Sequence, residues 1–419
     1  MKSLRKRLVF VGVMAVSLIA LIRVQQYYGT IYHGWDAQFY FALAHSLIFD
    51  RDTDVTNDLL MTPYPKPLDP SGDGSWSAAP RRADGRIPSK YPLGMSMVEA
   101  PFLAFGHLLR RAVELAGWEV SGAYGYSSIE IWSVAVGLQL LFGAGLAVLY
   151  SILKKEYGQS GATLGVLGCW LGTSLFYYSA LFPFMAHAVS FVLLVLILYA
   201  SRELTMEAPT VNSRLAWLGA LLGALFLVRP QQVIIALFLI PIFVIRIRSR
   251  PAATWCLGAC IGATFGLAAV ATQLACNYSQ FGVMSFSGYA VGGEGFSWLH
   301  PQLSFVLFSP SRGLFVFSPV IAIALIGYFL FPRFIPMYVY PMIGNAVLQI
   351  YLVAAWSSPE QGDAFGARMW SDNAAVVAIG LAIAFNRLGT IGQSILTVAT
   401  VVAIGWTIYL LGRFVGVYP

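Results

Sequence analysis

Charge is what this sequence has least of: Asp, Glu, Lys and Arg make up 11% of 419 residues, while 58% are hydrophobic and the mean hydropathy is +0.70. Soluble domains carry roughly 45–50% apolar and about 25% charged residues. Too few polar side chains are present to cover a water-soluble globule of this length, so the chain reads as an all-α polytopic membrane protein. Cysteine is scarce as well. Cys169, Cys256, Cys260 and Cys276 form no CxxC pair, and Cys256 and Cys260 lack a neighbouring histidine or carboxylate, which makes a poor metal site and leaves them as small apolar packing residues. No small-x-small cleavage site follows the first apolar run, so that run is expected to remain as an uncleaved span. The net charge of +7 lies in short clusters beside apolar stretches, where basic residues orient helices, and nucleic acid is not implied.

Apolar stretches run over 8–24, 129–153, 164–182, 186–199, 215–228, 233–245, 255–275, 314–331, 335–355, 373–385 and 391–411. Several fall short of the roughly 20 residues a straight span requires, which points to half-buried helices around a cavity. Lys2, Arg5, Lys6 and Arg7 precede the first stretch and hold the amino terminus in the cytoplasm. Reading the stretches alternately then puts Lys154, Lys155, Arg202 to Arg214, Arg246 to Arg250, Arg333 and Arg387 inside, as the charge rule requires. It also puts Arg229, Arg312 and Arg368 at the outer side against that rule, and a charge placed where it is costly is a functional candidate. The expected location is the cell inner membrane, multi-pass, with the active site on the external face. Residues 1–419 form one transmembrane domain, with no soluble domain beyond the loops.

Residues 29–126 form a long first external loop on this reading. Helical spacing of apolar residues from Asp36 to Phe49 predicts a short helix lying in the interface, and Pro92 opens a second that runs to about Leu109 and ends at Arg110-Arg111. Between them, 50–89 is rich in Asp, Pro, Gly, Ser and Arg and reads as loop. The two helices would roof the outer face. Trp35, Tyr40, Tyr91, Trp298, Trp356 and Trp370 read mostly as an interface belt, because amphipathic rings gather there.

Asp36 has two readings. Aspartate is a favoured N-cap, and a partly buried carboxylate at the surface also suits a general base that an acceptor hydroxyl reaches from outside. Lys90 is either a lysine reaching to headgroups or a fixed cation for a phosphate; Arg229, Arg312 and Arg368 are further phosphate candidates, since guanidinium groups hold phosphate oxygens bidentately. His187 stands at the outer end of a span, where a local hydrogen bond and a functional contact both fit. With Asp36 it makes only two metal ligands, so a divalent metal stays open. His45 and His300 carry weaker signals, and Asn277-Tyr278-Ser279 is too short a sequon to decide anything.

The order of these patches resembles that of bacterial GT-C-fold glycosyltransferases, relatives of protein O-mannosyltransferases and of the aminoarabinose transferase of lipid A. The resemblance rests on Trp35-Asp36-Ala37-Gln38-Phe39-Tyr40, Ala44-His45-Ser46-Leu47, Asp54-Val55-Thr56-Asn57-Asp58, Gly85-Arg86-Ile87-Pro88-Ser89-Lys90-Tyr91-Pro92-Leu93-Gly94, Phe184-Met185-Ala186-His187, Asn277-Tyr278-Ser279-Gln280-Phe281-Gly282, Ser309-Pro310-Ser311-Arg312-Gly313-Leu314-Phe315-Val316-Phe317-Ser318-Pro319 and Gly362-Asp363-Ala364-Phe365-Gly366-Ala367-Arg368. It implies a transmembrane helical bundle that moves a sugar from a polyprenyl-phosphate donor to a glycan, lipid or protein acceptor, with inversion. It makes Asp36 the catalytic base and Lys90 the contact to the donor phosphate. Many relatives follow the aspartate with glutamate where this chain has Ala37, so the role of that second carboxylate is either absent or supplied from elsewhere, with Asp54 and Asp58 as the candidates. A lipid-linked glycan flippase should show repeated halves, and no internal symmetry is visible here. A glycan polymerase or ligase shares the substrate chemistry, but its reactive loop usually comes later in the chain. A purely structural membrane protein leaves the outer cations unexplained.

Overall fold

The computed structural model describes residues 2–28, 31, 34–61, 81–205, 211–248 and 251–416. Each of the eleven apolar stretches is helical in whole or large part, and no strand forms among the described residues. The chain opens with α1 (Lys2–Tyr28), α2 (Trp35–His45), α3 (Thr56–Met61) and α4 (Gly94–Leu115). The long α5 (Ser128–Leu171) breaks at Gly158, whose φ of 77° is not helical, so it counts as two apolar stretches. After it come α6 (Ala186–Thr205), α7 (Val211–Val228), α8 (Ile235–Ile247) and α9 (Cys256–Phe281). Three short helices, α10 (Gly288–Val291), α11 (Leu303–Phe308) and α12 (Leu314–Phe317), lead to α13 (Val320–Leu330), α14 (Tyr340–Ala355), α15 (Ala375–Arg387) and α16 (Thr390–Phe414). Seven helices among the described residues are long and apolar enough to cross a membrane; Val11–Gln26, Val320–Leu330 and Ala375–Arg387 are shorter apolar ones.

Small residues set the packing. Every residue from Ala375 to Ala384 in α15 is buried. A Cβ on Gly380 would lie 2.4 Å from the Ala324 carbonyl oxygen of α13, and one on Gly219 of α7 would lie 2.3 Å from Gly262 Cα of α9. Between apolar helices, where lipid competes equally for apolar surface, such close backbone approach is a main source of attraction.

A second core gathers α2 and α3 against α4, the start of α5 and the segment before α6. The helix expected at the start of the first loop is present as α2, but Ala37 to His45 are all buried, so protein encloses it and it does not lie open in an interface. The other, α4, is amphipathic as expected. Met95, Glu99, Leu103 and Arg110 face inward, while Met97, Phe105 and Leu108 are exposed. Arg110 fastens its end, donating to Glu114 at 2.8 Å, to the Ala123 carbonyl at 2.8 Å and to Glu130 at 3.3 Å. Of residues 29–126, positions 29, 30, 32, 33 and 62–80 lie outside the described residues.

Candidate active site

The first turn of α2 carries Asp36, and residues 88–93 cross beside it. Two glutamines of α9 hold that crossing segment: Gln280 accepts from the Ser89 amide at 2.8 Å and Gln273 from the Leu93 amide at 3.0 Å. Lys90 and Tyr91 are aimed by these flanking bonds. The Tyr91 hydroxyl donates to Asp36 Oδ1 at 2.7 Å, and its ring packs on Phe39 and Tyr40. Burial first, then the Asp36 charge, raise the Tyr91 pKa well above its ordinary value, so the phenol keeps its proton and remains a donor. Lys90 Nζ meets Glu294 Oε1 at 2.5 Å and lies 5.1 Å from the centre of the Tyr289 ring.

Arg368 opens a 3-10 turn, Arg368–Asn373, before α15 and sits 3.2 Å from Asp36 Oδ2. Burial disfavours its charge, but Asp36 and the surrounding tyrosines more than restore it. Its Nε is buried with no hydrogen-bond partner among the described residues. Arg229, between α7 and the turn Pro230–Ile234, pairs with Asp372 at 3.2 Å. Asp372 also accepts from Gln232 at 3.1 Å and meets His187 Nδ1 at 2.8 Å. Asn345 extends this network, donating to Gln232 at 2.8 Å and to Asn373 at 2.7 Å.

A small cavity of about 50 Å³ is lined by Asp36, Lys90, Tyr91, His187, Arg229 and Arg368 among others. It shares Tyr40, Lys90, Arg229, Tyr289, Trp356 and Met369 with a larger cavity of about 490 Å³ that continues past Phe286, Phe296, Leu352 and Val353. Another cavity of about 510 Å³, lined by Val13, Leu146, Tyr150, Lys155 and Arg202 among others, contains none of the Asp36 group.

The structure thus brings together Asp36, Lys90, His187, Arg229 and Arg368. It does not bring the remaining candidates to them. Arg312 donates to the Glu360 carbonyl and lines neither of these cavities. Asp54 pairs with Arg86 at 3.1 Å and caps the Thr56 amide at 3.0 Å. Asp58 is buried against His45. His187 faces Asp372 as its partner, although it shares the small cavity with Asp36. Sequence reasoning missed Asp372, Gln232 and Glu294. A carboxylate at the edge of an apolar stretch is costly by the same rule that singled out the arginines, so Asp372 carried a usable signal; Glu294, in a glycine-rich loop, carried none. Of the rings expected in an interface belt, Tyr40, Tyr91 and Trp356 line the cavities, and Trp370 is buried with its indole N–H on the Ala346 carbonyl. Asn277 is buried and donates to the Ser285 carbonyl, which argues against an exposed glycosylation acceptor.

The described residues have a GT-C-type fold. Solved structures that share the likeness include two of one protein. ArnT from Cupriavidus metallidurans in the apo state matches with a TM-score of 0.54 at 11% identity, over 95% of this chain and 63% of that one. The same protein bound to undecaprenyl phosphate matches at 0.50 and 12%, over 94% and 62%. The chain therefore spans a little under two thirds of the ArnT length. No family model matches the sequence. No curated protein matches it either.

Proposed function

We propose that this chain is a membrane glycosyltransferase that moves a sugar from a polyprenyl-phosphate donor to an acceptor at the external face, inverting the anomeric carbon. The observation that carries this reading is one carboxylate, Asp36, sharing a cavity with three cations, Lys90, Arg229 and Arg368, where that cavity joins a larger one with an apolar wall. The acceptor hydroxyl gives its proton to Asp36 as its oxygen attacks the anomeric carbon. The bond from that carbon to the phosphate oxygen breaks, and the phosphate leaves with the electron pair. Cations fixed beside the departing phosphate favour the transition state over the ground state. Tyr91 and Arg368 each engage one oxygen of Asp36, yet a carboxylate has about four lone-pair sites, so the base keeps capacity for the incoming proton. The larger cavity suits a prenyl chain, and an ArnT structure bound to undecaprenyl phosphate shares the fold.

Asp36→Asn keeps the size and removes the base. Transfer from a polyprenyl-phosphate sugar by the purified variant should fall by about 10²–10⁴-fold while thermal unfolding shifts little. Near-normal turnover would return Asp36 to the role of a helix-start residue. Lys90→Ala should lower kcat more than it raises the donor KM, and unchanged kinetics would place the phosphate elsewhere.

A further inference from the structure

Away from the cavity, the far end of α2 gathers a second polar group. His45 ends α2, a π-helical turn over Ser46–Asp50 follows, and Asp58 stands in α3. One ligand atom from each of His45, Asp50 and Asp58 lies within 4.8 Å of the others, and no other cluster of three such side chains this close occurs among the described residues. We propose that these three residues hold a divalent transition-metal ion that fastens α2 to α3.

Proximity alone would mean little; the state of Asp58 carries the inference. Asp58 is fully buried, yet Oδ2 has no hydrogen-bond partner among the described residues and Oδ1 meets only Nδ1 of His45. Buried carboxylates ordinarily collect donors. Here the nearby donors are spent on other acceptors. The Ser46 hydroxyl donates to Asp52 at 2.6 Å, the Asn57 amide to Asp50 at 2.8 Å, and the Tyr126 hydroxyl to the Asp58 backbone carbonyl at 3.1 Å. What the buried oxygens lack is a cation.

His45 is oriented to help supply one. Its Nε2 lies 2.9 Å from the Tyr124 carbonyl oxygen, which can only accept, so Nε2 carries the hydrogen and Nδ1 turns toward Asp58. A metal-ligating histidine commonly gives its other ring N–H to a backbone carbonyl in this way. The ring is clamped by Tyr126, 4.9 Å away and stacked, and by Phe49 at 4.5 Å. Gly125 closes the clamp: a Cβ there would lie 2.1 Å from the His45 ring, and its φ of +83° also excludes most side chains. A neutral imidazole with two carboxylates has a charge of minus two, which a divalent ion cancels. One nitrogen and two oxygens suit Zn²⁺ or Mn²⁺ better than Ca²⁺ or Mg²⁺, which prefer oxygen alone. Asp50 is exposed, so water can complete the shell from that side. A protonated His45 paired with Asp58 is the competing arrangement: burial opposes that proton, but Asp58 and the Tyr124 carbonyl outweigh it and raise the imidazole pKa. That pair still leaves Oδ2 without a partner.

The ion would act through α2. At 1.5 Å per residue, His45 sits about 13 Å along the helix from Asp36, and none of the three ligands lines the active-site cavities. The test uses full-length purified protein stripped with a chelator, then dialysed against Zn²⁺ or Mn²⁺ and measured by elemental mass spectrometry and thermal unfolding. The expected result is one ion per chain and a raised melting temperature. Asp50→Asn, a change at an exposed residue, should weaken binding by about 10–100-fold or more. Asp58→Asn should abolish binding while leaving the stripped protein no less stable, because the unpartnered charge is gone. His187→Gln should retain the ion. No ion retained by the wild type, equal retention by Asp50→Asn, or loss only in His187→Gln would overturn the proposal.

Discussion

The charge on Asp372 is shared among His187 of α6, Arg229 at the end of α7 and Gln232 of the turn before α8. Burial works against this carboxylate, but Arg229 and then His187 outweigh it and hold its pKa below the usual range. A pKa lowered on folding contributes stability that is present above the unfolded carboxylate value, about 3.9, and is lost as pH falls through the folded value. Wild-type melting temperature should therefore decline as pH drops from about 5 toward 3. Asp372→Asn should lack that part of the decline and, by leaving Arg229 buried without its counter-charge, should lose about 3–5 kcal/mol at neutral pH. Thermal scans across pH on both proteins check this; parallel curves would mean Asp372 does not titrate with folding. Glu294 belongs to a different case. Its pair with Lys90 is partly exposed, and such pairs are worth about 0–1 kcal/mol. Glu294→Gln should leave stability nearly unchanged and lower the donor KM, because Lys90 no longer divides its charge between Glu294 and the phosphate. A raised KM would instead make Glu294 a donor contact.

At the scale of elements, α2 and α4 show what patterning conveys. The apolar face of α4 was legible, since the residues that alternate in sequence also alternate between protein and exterior, but the helix runs on to Leu115, past the Arg110-Arg111 expected to end it. Along and just past α2 the sequence also offers Asp36, His45 and Asp50, with Asp36 and His45 nine residues apart and so on opposite sides of the helix. Two of these meet partners from distant segments: Asp36 meets Tyr91 and Arg368, and His45 meets Asp58 and the Tyr124 carbonyl. Polarity in a sequence marks a need for a partner and does not say whether water or protein meets it, so the helix was foreseen and its burial was not. The two helices should respond differently to truncation. Phe41 is fully buried between Tyr126 and Phe184, at ring separations of 5.5 and 6.0 Å, and Phe41→Ala should cost about 3–5 kcal/mol. Leu108→Ala, on the exposed face of α4, should stay within about 0.5 kcal/mol. Equal losses in denaturation would mean that α4 is covered by something beyond this chain.

Across the whole molecule, the cost of charge in an apolar setting was the most productive sequence signal. It singled out Arg229 and Arg368, which converge on one cavity, and it included Arg312, which does not, because the rule detects an unusual position and carries no information on distance. The same cost gives the molecule two ends. His187 lies in the first turn of α6 beside the Asp36 cavity and Arg202 in its last, about 22 Å away at 1.5 Å per residue. Arg202 pairs with Glu156 at 2.8 Å beside Lys154 and Lys155, and the Arg387 guanidinium stacks on Phe334 at 3.3 Å, next to Arg333. Lys154, Lys155, Arg202, Arg333 and Arg387 thus share the end remote from Asp36. Positive charge favours the cytoplasmic side, so the cavity should open externally. In a background with Cys256 and Cys260 changed to serine, the exposed positions Trp118 and Lys155 report the two ends. A membrane-impermeant maleimide added to intact cells should label Trp118→Cys and should reach Lys155→Cys only after permeabilisation. Labelling of Lys155→Cys in intact cells would reverse the orientation, placing Asp36 and its cations on the cytoplasmic face and removing the external acceptor from the proposed reaction.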